Sequence, residues 1–298
     1  MPDLGHDLQF GVFLTPVTDP PDGPVELARV ADHAGLDLVA FQDHPYQPAF
    51  ADTWTLLSYV AAVTHRIDLV PDVANLPLRN PAVLARSAAS LDRLSGGRVE
   101  LGLGAGAFWD AIVAMGGRRL SAGESVQALE EAIAIIRGIW AADERGRLVV
   151  DGDHHRVDGA KRGPAPAHDM GIWVGAYGPR MLELIGRLAD GWLPSLGYLS
   201  DGPAALRDMS RRIDEGAASA GRDPGDVRRL LNIEGRFGPR AEGVLQGPPE
   251  RWAEDLVDMA LEHGISGFIL QTDEAETIER FAGEVAPAVR QQVAAERG

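Results

Sequence analysis

The feature that narrows the fold most is an alternation running the length of the chain, in which short apolar, β-branched runs are separated by longer amphipathic stretches. Strand candidates lie at residues 10–14, 38–41, 67–73, 99–104, 172–176, 191–193, 229–235 and 267–271, with helix candidates at 25–34, 53–63, 81–94, 126–140, 180–188, 204–220, 251–263 and 274–293. A strand that leads into a helix and then into another strand is the repeating unit of a parallel sheet. Eight such units favour a closed (β/α)8 TIM barrel of the α/β class over an open sheet. Local punctuation supports the helices. Asn80 stands before Pro81, whose missing N–H is not needed at a helix start, and Ser121 with Glu124 has the spacing of a capping box. Gly35, Gly96, Gly97, Gly221 and Gly264 follow helix candidates, where a left-handed residue is wanted. The longest interruption, residues 141–167, holds no helix pattern, and its runs 148–150 and 155–157 predict a small inserted hairpin. Nothing rich in Pro, Gly or Ser divides the chain, so a single domain over residues 1–298 is expected.

Composition removes several function classes. Among 298 residues, 28 are Lys or Arg and 44 Asp or Glu, a formal net charge of −16. Such a balance repels phosphate backbones and anionic lipid, so neither nucleic acid nor membrane is expected as a partner. No run approaches the roughly 20 apolar residues of a membrane span. The start at Met1, Pro2 and Asp3 lacks a basic segment followed by an apolar one, which leaves the cytoplasm as the expected location. There is no Cys, hence no disulfide, thiolate metal site or cysteine nucleophile. The single Lys, Lys161, lies in a Gly/Pro-rich run, whereas Schiff-base chemistry needs a lysine desolvated in a pocket.

In barrels of this kind the site forms at the C-terminal ends of the strands. After the second strand come Gln42, Asp43, His44, Pro45 and Tyr46. A His beside a carboxylate can be held in one tautomer and exchange a proton near neutral pH; a His that caps a loop carbonyl is the plainer alternative. Asp72, among apolar residues at the end of the third strand, either faces the mouth or sits at a bulge, unless it merely marks the exit into a loop. Residues 102–107, reading GLGAGA, match the glycine fingerprint of dinucleotide binders, but three strand-helix units precede them and Glu124 opens a helix instead of following a strand. Ala105 and Gly106 are better read as a small-residue loop that a flat ligand can approach. After the fifth strand, Ala176 and Tyr177 lead into Gly178, Pro179, Arg180 and Met181, where a Pro-started helix, its free N–H groups and a guanidinium make an anion site suited to phosphate. The cluster Asp151, Asp153, His154 and His155 lacks metal-ligand spacing and reads as a solvated turn; no metal site is expected. Aromatic residues near strand ends, among them Tyr46, Trp109 and Tyr177, are candidates to wall a conjugated ring.

Several of these runs resemble one family. Residues 78–86 (LRNPAVLAR), 91–106 (LDRLSGGRVELGLGAG), 174–184 (VGAYGPRMLEL), 247–250 (GPPE) and 285–290 (VAPAVR) are similar to the bacterial luciferase-like family of flavin and deazaflavin oxidoreductases. The 174–184 run looks most like the branch that uses coenzyme F420. The resemblance implies a barrel with insertions and a cofactor phosphate bound by the loop at Gly178 to Met181. It also implies a non-prolyl cis peptide at Asp72-Val73 behind the cofactor ring, cofactor contacts at Asp43, Asn75, Ala105 and Gly106, and a proton-donating role for His44. The sugar-phosphate dehydrogenases of the family carry an acidic residue where Ala107 stands and an aromatic near Pro48, so their substrate and acid/base pair are not expected here.

The expected function is F420-dependent hydride transfer to or from a small organic substrate. The alternatives are an FMN-dependent monooxygenase, for which reduced flavin and oxygen would do the chemistry, and a non-catalytic flavin-binding barrel. The sequence leaves the oligomeric state open, with a homodimer, frequent among relatives, as one alternative. Residues 141–167 and 238–249 are the candidate lids.

Overall fold

The computed structural model describes residues 3–298, so the reading of Met1 and Pro2 lies outside it. Along the chain run β1 (Gln9–Leu14), β2 (Leu38–Phe41), β3 (Asp68–Pro71), β4 (Ala74–Asn75) and β5 (Leu101–Gly104), then β6 (Leu148–Asp151) and β7 (Arg156–Ala160), then β8 (Ile172–Val174), β9 (Gly191–Trp192), β10 (Arg228–Ile233), β11 (Arg236–Phe237), β12 (Gln246–Gly247) and β13 (Gly267–Gln271). The main sheet has the order β3-β2-β1-β13-β10-β9-β8-β5-β4, with parallel neighbours throughout. β3 and β4 are two halves of one stave, interrupted at Asp72 and Val73, so the nine strands make eight staves. The ring closes between the third and fourth: Leu69 bridges Val99, its N–H donating to the Arg98 carbonyl at 2.8 Å while the Glu100 N–H donates to the Leu69 carbonyl at 3.1 Å. The expected (β/α)8 barrel is the observed fold.

The helices are α1 (Gly23–Ala34), α2 (Thr53–Val63), α3 (Pro81–Ser95), α4 (Trp109–Ala114), α5 (Ala122–Trp140), α6 (Pro179–Leu188), α7 (Ala205–Ser219), α8 (Pro249–His263), α9 (Ala275–Arg280) and α10 (Ala286–Arg297). Their starts follow the chemistry read from sequence. The Asn80 side chain accepts from the N–H groups of Ala82 and Val83, and Ser121 with Glu124 closes a reciprocal capping box. Two differences have local causes. The 274–293 helix is divided by a π-turn at Phe281–Val285, just ahead of Pro287, whose ring cannot be accommodated beneath a regular helical carbonyl. α4, too short for a periodic signal, was absent from the sequence reading.

Strand side chains alternate between two apolar layers. Outward residues such as Phe10, Val12, Leu69, Leu103, Leu231 and Phe268 pack beneath the helices. Inward residues Leu38, Ala40, Val70, Trp173, Leu193, Leu230 and Ile269, joined by Phe13 and Val73, fill the barrel and give it a solid floor. The 141–167 segment does form a hairpin, β6 with β7. It is pinned to the outside of the barrel: Glu131 on α5 accepts from the N–H groups of Asp153, His154 and His155 at 2.7–3.0 Å, and Asp92 at the end of α3 accepts from Ala167 N–H at 2.6 Å. The Asp/His cluster is thus an anchored turn.

The interruption between β3 and β4 leans on a glycine. A Cβ at Gly102 would stand 2.1 Å from the Pro71 carbonyl oxygen, backbone that cannot swing aside. Gly102→Ala is expected to cost about 2 kcal/mol or more, lowering Tm by at least about 4 °C. A thermal unfolding curve that does not move would show that the stave tolerates the extra carbon.

Candidate active site

Above the apolar floor, the C-terminal ends of the strands open into a cavity of about 900 Å³. Strand parity continues into it. After inward Leu38 and Ala40 comes Gln42, after Leu230 come Asn232 and Glu234, and after Ile269 comes Gln271. The same alternation that makes the floor apolar makes the mouth polar.

All thirteen residues singled out from sequence line this cavity: Asp43, His44, Asp72, Val73, Asn75, Ala105, Gly106, Ala176, Tyr177, Gly178, Pro179, Arg180 and Met181. Asp43 differs from expectation in what it holds. It is 1% exposed, and its Oδ2 accepts from Arg79 Nε at 2.5 Å and from the Asn75 N–H at 2.9 Å, while Oδ1 accepts from Arg79 Nη2 at 2.6 Å. The carboxylate therefore braces the third stave and is not free to orient the imidazole of His44. Arg79 extends the brace to Asp52, whose other oxygen caps α2.

His44 stacks on Tyr46 with ring centroids 5.2 Å apart and meets the edge of Phe108 at 5.3 Å. Neither ring nitrogen has a hydrogen-bond partner among the described residues. Burial holds its pKa below the ordinary 6.5, with the Asp43 charge opposing, so the imidazole is neutral at pH 7. Burial, with Asp43 adding to it, pushes the Tyr46 phenol up to about 12.

At the bulge the Asp72-Val73 peptide is cis, as the resemblance implied. Val73 turns inward against the glycine faces of β5 and the loop after β8, where Gly104 and Gly175 leave room for it. Asp72 points to the cavity with its Oδ2 buried and unpartnered among the described residues. Burial raises its carboxyl to about 7, with the Asn232 side chain opposing, so near neutral pH a large share of it carries no charge. Asn75 Oδ1 and Asn232 Oδ1 are buried and unpartnered as well. A buried acceptor left without a donor is costly, so three of them around one cavity wall mark places where a ligand or water must supply hydrogen bonds.

The small-residue loop closes one side. Gly106 has φ +99°, and a Cβ there would meet Pro77 and Trp109 at 2.8 Å. Glycine is required at 106 by the chain itself, while Ala105 forms the open part of the wall. Opposite, α6 starts behind Gly178 without a side-chain cap. The Met181 N–H is taken by the Gly178 carbonyl at 3.0 Å, contrary to the sequence reading that left it free; the Arg180 N–H has no acceptor among the described residues. Among the described residues the Arg180 guanidinium pairs with no carboxylate, and it lies beside Gly123, in the first turn of α5. Two helix starts thus flank one uncompensated cation at the mouth, which is favourable ground for an anion. The Tyr177 hydroxyl accepts from the Ser195 N–H at 2.9 Å.

Sequence reasoning missed Asn232, Glu234 and Gln271, although strand parity carried the signal; Gln42 it placed only in the loop after the second strand. Arg79 gave none, because its partner Asp43 is 36 residues away. Of the two candidate lids, neither 141–167 nor 238–249 lines the cavity; residues 105–109 and 195–198 supply its rim instead.

Residues 8–242 match the family described as Luciferase-like monooxygenase. The chain is 36% identical over 222 residues to a 5,10-methylenetetrahydromethanopterin reductase of Methanolobus tindarius, a match covering 74% of this chain and 63% of that reductase. It is 28% identical over 302 residues to an F420-dependent glucose-6-phosphate dehydrogenase of Microbacterium testaceum, covering 92% and 87%. Among solved structures, an F420-dependent secondary alcohol dehydrogenase superposes with a TM-score of 0.83 at 21% identity, over 95% of this chain and 99% of that one. With a family match across most of its length, the barrel and its mouth found independently, this chain belongs to the luciferase-like monooxygenase family of oxidoreductases.

Proposed function

We propose that the chain binds coenzyme F420 in the barrel mouth and passes hydride between the deazaflavin and a small organic substrate. One observation carries the reading: a single cavity combines buried, unpartnered acceptors beside the bulge with an unpaired guanidinium between two helix starts. That combination suits a flat ring with polar edges joined to an anionic tail. The relatives and structural neighbours named for F420 support this cofactor over FMN. We extend the reading to one catalytic unit over the whole chain, supported by the pairing of β1 with β13, which joins the two ends of the sequence in one ring.

The cofactor supplies the redox chemistry when bound. Val73 would back the ring, and Asp72, Asn75 and Asn232 would offer it polar contacts. Ala105 and Gly106 would form the close wall, and Ala176 and Tyr177 would lead to the anchor at Gly178 to Met181, where the Arg180 N–H and guanidinium would hold the phosphate. Asp43 acts through its brace on Asn75 and Arg79. His44, with both nitrogens free and its aromatic neighbours fixing the ring plane, exchanges the substrate proton.

Two outcomes follow. Fluorescence titration should show F420 binding, and Arg180→Ala should weaken it about tenfold or more, the loss of one charge-assisted contact, while Tm stays put. Binding of neither F420 nor FMN would sink the enzyme reading, and binding of FMN alone would move it to the monooxygenase. For the proton, substrate oxidation needs neutral His44. That direction should therefore be fully active at pH 7 and decline as the pH falls through a value below 6.5; His44→Gln should abolish that limb. A limb centred above 6.5, or one that survives in the variant, would remove His44 from the proton path.

A further inference from the structure

We propose that the substrate side of the mouth takes an uncharged, ring-bearing organic compound and rejects phosphorylated and carboxylated ones. The inference rests on the F420 reading, because that reading assigns Arg180 to the cofactor.

The charge inventory of the cavity wall comes first. Arg180 is its one Arg, and no Lys lines it; Lys161, the chain's single lysine, lies on the outer segment. Arg79 stands close by but does not line the cavity, and its guanidinium is held by Asp43 and Asp52. Once an anionic cofactor occupies Arg180, a second anion finds no cation to meet it. It finds Glu234 instead, exposed at the end of β10, with Oε1 against the Gly197 rim. An anion held beside a fixed carboxylate without a counter-cation is strongly disfavoured.

The remaining groups point to what is accepted. His44, Tyr46 and Phe108 form a continuous aromatic corner, with centroid separations of 5.2, 5.3 and 6.2 Å, and Trp109 adjoins it at the start of α4. Tyr177 and Tyr198 meet edge to face at 5.9 Å and also line the cavity. Phe108 is 53% and Tyr198 73% exposed. Single exposed aromatic residues are ordinary, but here two groups of them rim one opening, which marks a surface made to be covered. Offset and edge-on contacts with such faces favour a ring in the ligand. The polar groups among them are neutral: the carboxamides of Gln42 and Gln271, the Tyr46 hydroxyl and the His44 imidazole. They can bond a carbonyl or hydroxyl oxygen, yet none offers charge to an acid.

The test uses the full chain saturated with F420, its loading followed separately by F420 fluorescence. Calorimetric titration then compares cyclohexanone, acetophenone and 4-phenylcyclohexanone with glucose 6-phosphate. The best ketone should bind about a hundredfold tighter than the sugar phosphate. Phe108→Ala should cost that ketone about tenfold without altering F420 affinity, and Glu234→Arg should raise the affinity for glucose 6-phosphate at least about tenfold. Sugar phosphate binding as tightly as the ketones, no binding of any ketone, or indifference to Phe108→Ala would overturn the inference while F420 binding remained intact. Failure of F420 to bind would instead bring down the functional reading on which it stands.

Discussion

The buried ion pair of Asp43 and Arg79 is the constraint on which the geometry of the mouth depends. Asp43 follows β2 and is almost fully desolvated, so its charge must be matched where it lies. Arg79 matches it with two hydrogen bonds in the fork geometry of guanidinium and carboxylate, and the Asn75 N–H fills a further lone pair. Losing one partner of such a pair costs about 3–5 kcal/mol, because the other is left charged and buried. Through this knot the loop carrying His44, the stave broken at Asp72-Val73 and the start of α2 at Asp52 become one rigid wall. The unpartnered acceptors of Asp72 and Asn75 line the cavity on this wall.

Acidity is distributed by a simple rule. Four carboxylates work at the opposite end of the barrel, where parallel strands begin and N–H groups lack ladder partners. Asp37 accepts from Phe10 N–H, Glu100 from Gly171 N–H, Asp190 from Ile172 N–H, and Asp32 from three successive N–H groups at His65, Arg66 and Ile67. Arg290 and Arg137 then pair with Asp37 and Asp190. These four carboxylates are thus structural at the base, two of them paired with arginines. At the mouth Arg180 stands without a carboxylate partner, so a chain that repels anions as a whole can still hold one locally.

Neutrality is the other character of the mouth. Desolvation acts on three ionisable groups of the wall: it holds the His44 imidazole below its ordinary pKa, pushes the Tyr46 phenol up to about 12 and raises Asp72 to about 7. Burial therefore reduces the charge that Asp72 carries at the bulge, against the opposing effect of the Asn232 side chain.

The sequence by itself determined the eight staves, most of the helix starts and the hairpin, because hydrophobic period, caps and turn glycines are local signals that survive in one dimension. It also placed the candidate residues on strand-end loops, and the fold brought all thirteen to one cavity. Strand parity makes Asn232, Glu234 and Gln271 legible too, within or just past the candidate strands. Only the tertiary structure decided what each group is bonded to: that Asp43 serves Arg79 and not His44, that the Met181 N–H is already taken, that Gly106 is required by Pro77 and Trp109, and that residues 141–167 lie outside the mouth. Those outcomes join residues tens of positions apart, and a hydrogen bond is settled by which donor and acceptor the closed ring brings within 3 Å of each other. No pattern along the chain encodes that distance.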